Sequence, residues 1–218
     1  MNMSNGFRAG ARAMVTALCV AALASACSIL PAREAVQVWQ PPESASVHVE
    51  SAANFSLRVD TPNLAGMLDQ QGIVVMPEPG QVSVYKGARW SESPALLVRG
   101  RLVDAFMAAK LPSVTTDDEH FSSDYTLSGD LRAFHSEYRA GSPVVVVRYD
   151  AQLRSGGSRK VLASRSFVVT KQPSGTQVPA VVAAFGAADD ALAQQVVEWV
   201  LATADGNRQS TPANTDTH

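Results

Sequence analysis

Pro143-Val144-Val145-Val146-Val147-Arg148-Tyr149-Asp150-Ala151-Gln152-Leu153-Arg154-Ser155-Gly156-Gly157-Ser158 decides the fold of this 218-residue chain. It opens as an unbroken β-branched run and then alternates. Tyr149, Ala151 and Leu153 fall on one face, and Arg148, Asp150, Gln152 and Arg154 on the other. Period-two alternation marks a strand with one buried and one wetted side. Ser155-Gly156-Gly157-Ser158 then predicts a hairpin turn, because glycine readily supplies positive φ. The return strand is expected over about 160–170. Upstream, 127–138 reads as a strand whose apolar phase changes near Phe134, so a bulge is expected there.

Working outward, helical patterns flank these strands. Ser93 and Pro94 form a helix start, with a capping hydroxyl followed by a residue that needs no N–H. Val98, Leu102, Ala105, Phe106 and Ala109 make its apolar stripe, which ends near Lys110 ahead of Pro112. A second helix is predicted from about Pro179, burying Val181, Val182, Phe185, Ala188, Leu192, Val196, Trp199 and Val200. Three short strands are predicted over 55–59, 72–76 and 81–85. The expected fold is α+β, in the order βββα-βββα: a mixed or largely antiparallel sheet with two helices packed on one face.

The ends read differently. Arg8 and Arg12 precede an apolar stretch over 13–22, and Leu23-Ala24-Ser25-Ala26-Cys27 follows. A basic segment, a short apolar run and small residues before a cleavage point make a secretory signal. With cysteine next, the pattern resembles a bacterial lipobox. The apolar run is short for a membrane helix, which needs about 20 residues. An uncleaved membrane helix and an ordinary cleaved signal are the alternatives. The lipobox reading divides the chain into a signal (1–26), a lipidated Cys27 with a flexible tether (27–52), one domain (53–204) and a disordered tail (205–218). Cys27 would carry a diacylglycerol thioether and an N-acyl chain, with no other cofactor. Ser28 does not match the inner-membrane retention signal of enterobacteria, which implies the outer membrane.

Composition excludes several classes. The net charge is −2, with no Lys/Arg cluster of the kind a nucleic-acid surface requires. The two cysteines are Cys19 and Cys27, so loss of the signal and acylation leave no disulfide. Thr116-Asp117-Asp118-Glu119-His120 matches neither a calcium loop nor a zinc spacing, and reads as a solvated loop rather than a metal site. No nucleophile elbow or phosphate-binding glycine loop is present, so no catalytic residue is assigned. Tyr85, Arg89 and Trp90 form the sharpest local cluster, read either as an aromatic pair with an arginine that anchors a protein contact, or as Trp90 packed at the strand–helix junction with Arg89 stacked or paired nearby. Arg165 shares the strand phase of apolar neighbours. It is read either as lining a partner groove or as an edge arginine reaching for water.

Four segments carry a resemblance. They are Val84-Tyr85-Lys86-Gly87-Ala88-Arg89-Trp90 before Pro94, Leu131-Arg132-Ala133-Phe134 with the strand ending Asp150-Ala151-Gln152-Leu153, Val161-Leu162-Ala163-Ser164-Arg165-Ser166-Phe167, and Val178-Pro179-Ala180-Val181-Val182-Ala183-Ala184-Phe185 leading to Val197-Glu198-Trp199-Val200. In this order, behind a lipobox, the chain resembles the ABC-type transport auxiliary lipoprotein family, the group of the paraquat-inducible protein C lipoproteins. The resemblance implies a non-enzymatic outer-membrane component of a mammalian-cell-entry type transport system. It would dock on the periplasm-bridging substrate-binding protein, with phospholipid or another hydrophobic molecule as cargo. Phospholipid is also a candidate for direct contact with the domain. Two other classes stay open: an adaptor for cell-wall synthase activation or lipopolysaccharide assembly, and an anchored hydrolase.

Overall fold

The computed structural model describes residues 35–42, 53–64, 66–119 and 121–210. The signal 1–26, Cys27, the tether residues 43–52 and the end 211–218 lie outside the described residues. The meander expected from the central stretch forms β7 (Tyr125–Arg139), β8 (Ser142–Ser155) and β9 (Val161–Lys171). Both pairings are antiparallel, from Tyr125 opposite Ser155 to Arg139 opposite Ser142, and from Val145 opposite Lys171 to Arg154 opposite Val161. Ala140 and Gly141 both take positive φ, as a two-residue type I′ turn requires. The bulge falls between Leu131 and Ala133, two residues ahead of its expected place. Val145, Val147, Tyr149, Ala151 and Leu153 are buried, while Arg148 and Arg154 stand in water. The Tyr149 ring covers Gly129, where a Cβ would lie 2.8 Å from the ring and 2.3 Å from the Asp150 carbonyl oxygen.

The other edge of β7 takes three short parallel strands in succession: β2 (Ser56–Val59), β3 (Asn63–Leu64) and β4 (Gly72–Met76). β5 (Ser83–Trp90) runs antiparallel to β4, β1 (Gln37–Trp39) parallel to β5, and β6 (Ser113–Thr116) parallel to β2. Among the described residues the nine-stranded sheet is therefore mixed, the first of the two expected alternatives, and not largely antiparallel. The order is corrected, since among the described residues five strands precede the helix at 94–108 and four lie between it and the helix at 178–210. Alternation reports which residues face the core but not which way a strand runs. β1 and β3, of three and two residues, are too short to alternate visibly.

Helix α1 (Pro94–Ala108) starts as expected, with the Ser93 hydroxyl accepting the Leu96 N–H at 3.5 Å. Helix α2 (Val178–Ser210) is six residues longer than expected. Residues 205–210 are helical rather than disordered, because they pack. Arg208 pairs with Asp205, donates to the Asn54 carbonyl and lies over the Phe55 ring. By length and hydropathy α2 is apolar enough to cross a membrane, but Val181, Phe185, Ala188, Leu192, Val196 and Val200 are all buried against the domain. The core centres on Trp90, Phe134 and Phe185, with centroids 4.7 to 5.6 Å apart.

Residues 36–42 form an ordered strap where a tether was expected. After β1, Pro41 and Pro42 lie against the helices. The Arg101 guanidinium donates to the Pro42 carbonyl at 2.9 Å and pairs with Asp190 at 3.0 Å. Gly186 makes the room, since a Cβ there would sit 2.4 Å from the Pro42 carbonyl oxygen. Alanine normally gains about 1 kcal/mol over glycine inside a helix. Here the clash is with backbone, so Gly186→Ala should instead destabilise by about 1–3 kcal/mol. Amide exchange should accelerate at residues 37–39 and stay unchanged in β8. A more stable variant with a protected strap would refute this packing.

Candidate functional site

The four partner-contact candidates do not form one site. Trp90 is fully buried between Phe134 and Phe185, which corrects the partner-contact reading for this residue in favour of the packing one. Arg89, one residue earlier on the same strand, points the other way, is exposed and donates to the Gln71 amide oxygen. Tyr85 is half-buried and its hydroxyl shares a 2.9 Å hydrogen bond with Ser136. Burial raises its pKa, against the lowering effect of that bond. Arg165 lies far along the sheet on β9, exposed, with its guanidinium 5.0 Å from the Phe167 ring. Among the described residues β9 pairs only with β8, so Arg165 sits on an edge strand.

The acidic loop after β6 is structural. Arg99 reaches from α1 to both Asp117 and Asp118 at 2.7 Å, and to the Thr61 hydroxyl at 2.9 Å. Among the described residues no three His, Cys, Asp or Glu side chains gather as a metal site.

Sequence reasoning missed the sheet face opposite the helices. Strand alternation sends Arg58, Thr126 and Arg154 to this face in one rung, and Ser128, Gln152 and Ser164 in the next. Asp150 collects Ser166 at 2.6 Å, Arg148 at 3.2 Å and Arg132 at 3.2 Å. The Ser166 hydroxyl first, then the two guanidiniums, hold its carboxyl below the usual range despite partial burial. Where β2, β7 and the 156–158 turn meet, the face opens into a cleft of about 860 Å³. Ser56, Arg58, Asp60, Phe121, Asp124, Thr126, Arg154, Ser155 and Arg159 are among its lining residues. A second groove of about 470 Å³ continues from it, sharing Arg58, Asp60 and Arg154. Asp124 is locked in place, accepting the Ser56 N–H at 2.7 Å and its hydroxyl at 2.8 Å, which keep its pKa low. Gly156 lets the 121–124 loop close over the turn, since a Cβ there would lie 1.7 Å from the Ser123 carbonyl oxygen.

Residues 38–197, nearly the whole folded domain, match the model of a family described as the ABC-type transport auxiliary lipoprotein component. The chain belongs to this family. The auxiliary lipoprotein is similar to the solved structure of protein XCC0632 from Xanthomonas campestris, at 30% identity and TM-score 0.74, over 80% of this chain and 99% of that one. It also shares its fold with the crystal structure of an uncharacterized protein, at 17% identity and TM-score 0.60, over 77% and 99% of the two chains. An uncharacterized protein of Bradyrhizobium diazoefficiens, bll6063, is 29% identical over 149 residues. That match takes in 67% of the auxiliary lipoprotein but only 39% of the relative's length.

Proposed function

We propose that the auxiliary lipoprotein is a non-enzymatic docking component, lipid-anchored at Cys27 on the periplasmic face of the outer membrane. It serves an ABC transport system of the mammalian-cell-entry type that moves phospholipid or another hydrophobic cargo. The observation that carries this reading is the family match across the folded domain, behind a sequence that resembles a lipobox. The domain offers surface rather than chemistry, and its mechanism is to raise the local concentration of a docking face.

The strap refines the geometry. Cys27 precedes Val36 by nine residues, and a chain of that length spans at most about 30 Å when extended. Pinned by Arg101, the domain is held much closer to its anchor than a free 27–52 tether would allow. Three buried acyl chains, at about 0.8 kcal/mol per methylene, make that attachment permanent.

The test is capture of the periplasm-bridging substrate-binding protein by the full lipidated chain. Retention is expected, and a folded chain that captures no such protein overturns the reading. Cys27→Ala should leave the circular dichroism spectrum unchanged and move the protein out of the outer-membrane fraction. An unaltered membrane fraction would refute lipidation there.

A further inference from the structure

We propose that the cleft beside the 156–158 turn is a binding site for a phosphate-bearing anion, held by Arg154 and Arg159. Three arginines line this cleft and two carboxylates accompany them. Arg58 pairs with Asp60 at 2.7 Å, while Asp124, hydrogen-bonded to the neutral Ser56 and within the field of Arg208, keeps its charge, so the three arginines of the cleft exceed its two carboxylates by one positive charge. Two of those arginines have no acidic partner among the described residues. Arg154 donates only to the neutral Gln152 amide oxygen at 2.9 Å, and the Arg159 guanidinium makes no hydrogen bond or ion pair there.

The backbone holds these cations in place. Arg154 lies at the end of β8 in the rung Arg58–Thr126–Arg154, so Arg58 and Arg154 stand two strand spacings apart, about 10 Å. Arg159 is fixed by its N–H to the Ser155 carbonyl at 2.9 Å, and the Ser155 N–H to the Lys160 carbonyl closes the turn at 2.9 Å. Its φ is +56°, a left-handed conformation costing a non-glycine residue about 1–2 kcal/mol. This is the left-handed residue that closes the 155–160 turn, as Ala140 and Gly141 close the turn before β8.

The chemistry selects phosphate. Two separate guanidiniums and the Thr126 and Ser155 hydroxyls need an acceptor with several oxygens in a tetrahedral array. A carboxylate can take two guanidiniums, as Asp150 does, but it carries a single charge, whereas a phosphate offers three or four acceptor oxygens and up to two charges to both arginines and both hydroxyls together. The cleft is open and far larger than one phosphate, and Phe121 on its lining is 69% exposed. There is room for a group esterified to the phosphate, so free phosphate and a lipid headgroup are two sources of one chemistry. The proposal holds independently of which transport partner the domain docks.

The full chain in uncharged detergent would be titrated with inorganic phosphate, glycerol 3-phosphate and glycerophosphoglycerol, with glycerol as control. The Gly156 and Gly157 amides and the arginine Nε–H signals would be followed by NMR. Saturable shifts are expected with at least one phosphate probe and none with glycerol, and they should weaken as salt rises. Tightest binding of the diester identifies a lipid headgroup; tightest binding of phosphate or the monoester identifies a soluble ligand. Arg154→Gln with Arg159→Gln should weaken binding at least tenfold with an unchanged melting temperature, since both side chains are exposed. Absence of saturable shifts with all three probes, or undiminished affinity in the double variant, overturns the proposal.

Discussion

Trp90→Ala should lower the free energy of unfolding by about 3–5 kcal/mol, whereas Arg89→Ala, its neighbour, should change it by about 0.5 kcal/mol or less. The Trp90 ring is fully buried and meets Phe134 and Phe185 edge-on, at 5.6 and 5.0 Å. Its removal loses the burial of a large ring and two aromatic pairs worth about 0.5–1.5 kcal/mol each. It also opens a void where β5, β7 and α2 meet, which the rigid strands cannot close. Domains of this size hold about 5–15 kcal/mol in all, so the variant should sit near the edge of folding at 37 °C. Urea unfolding followed by circular dichroism measures both variants. A cost below about 1 kcal/mol for Trp90→Ala would show that the three-ring cluster does not organise the core. The indole Nε1 is buried without a hydrogen-bond partner. Trp90→Phe removes that unpaired donor, so it should be tolerated far better than alanine.

The same pair of residues shows what was legible in the sequence. Tyr85, Arg89 and Trp90 look like one cluster when read as neighbours in sequence. On a strand, consecutive side chains point to opposite faces, so Arg89 and Trp90 cannot serve one contact. Gly87, at φ +69°, shifts the phase of β5 between them and Tyr85. Strand alternation alone would have separated Arg89 from Trp90. The central meander and both helices were legible because each carries its own local signal: the alternation of 145–153, the Gly156-Gly157 turn, the Ser93-Pro94 start and the long apolar stripe from Val181 to Val200. Strand direction carries no such signal, nor do β1, β3 and β6, and the parallel pairings emerge only when β7 is lined with partners about 60–70 residues upstream.

The strap and the cleft were hidden for a related reason. Pro41 and Pro42 read as chain breakers, and nothing local reveals that Gly186, far along α2, leaves room for them or that Arg101 grips their carbonyls. Arg154 looked like an ordinary wetted strand residue and Arg159 like part of a turn. Only folding brings Arg58 and Thr126 alongside them, so the charge balance of the cleft is a non-local property. Arg165 differs, because its edge position followed from strand phase and the end of the meander.

Asp189→Asn should stabilise the protein at and above neutral pH and flatten its stability profile between about pH 5 and 8. Asp189 lies on α2 at the strap, 2% exposed, and its Oδ1 has no hydrogen-bond partner. Burial pushes its pKa up to about 8, Arg101 opposes the shift, and Asp190 adds to it. Glu92, Asp104 and Gln40 share the small cavity beside it. An unfolded aspartate titrates near pH 4. Between that value and about 8 the folded state binds the extra proton, so the stability this group confers is full below pH 4 and falls as pH rises. The slope is about 1.4 kcal/mol per pH unit, and it ends once the folded group ionises. Over pH 5 to 8 the wild type should therefore lose on the order of 4 kcal/mol that the asparagine variant keeps. Asp124, Glu137 and Asp150 are shifted the opposite way and titrate below this window. Any group titrating inside it is present in both proteins and cancels in the difference. Urea midpoints measured at half-unit steps give that difference directly. Parallel profiles would mean that Asp189 carries its charge in the folded protein throughout the window, with the Arg101 guanidinium turned from the strap to meet it.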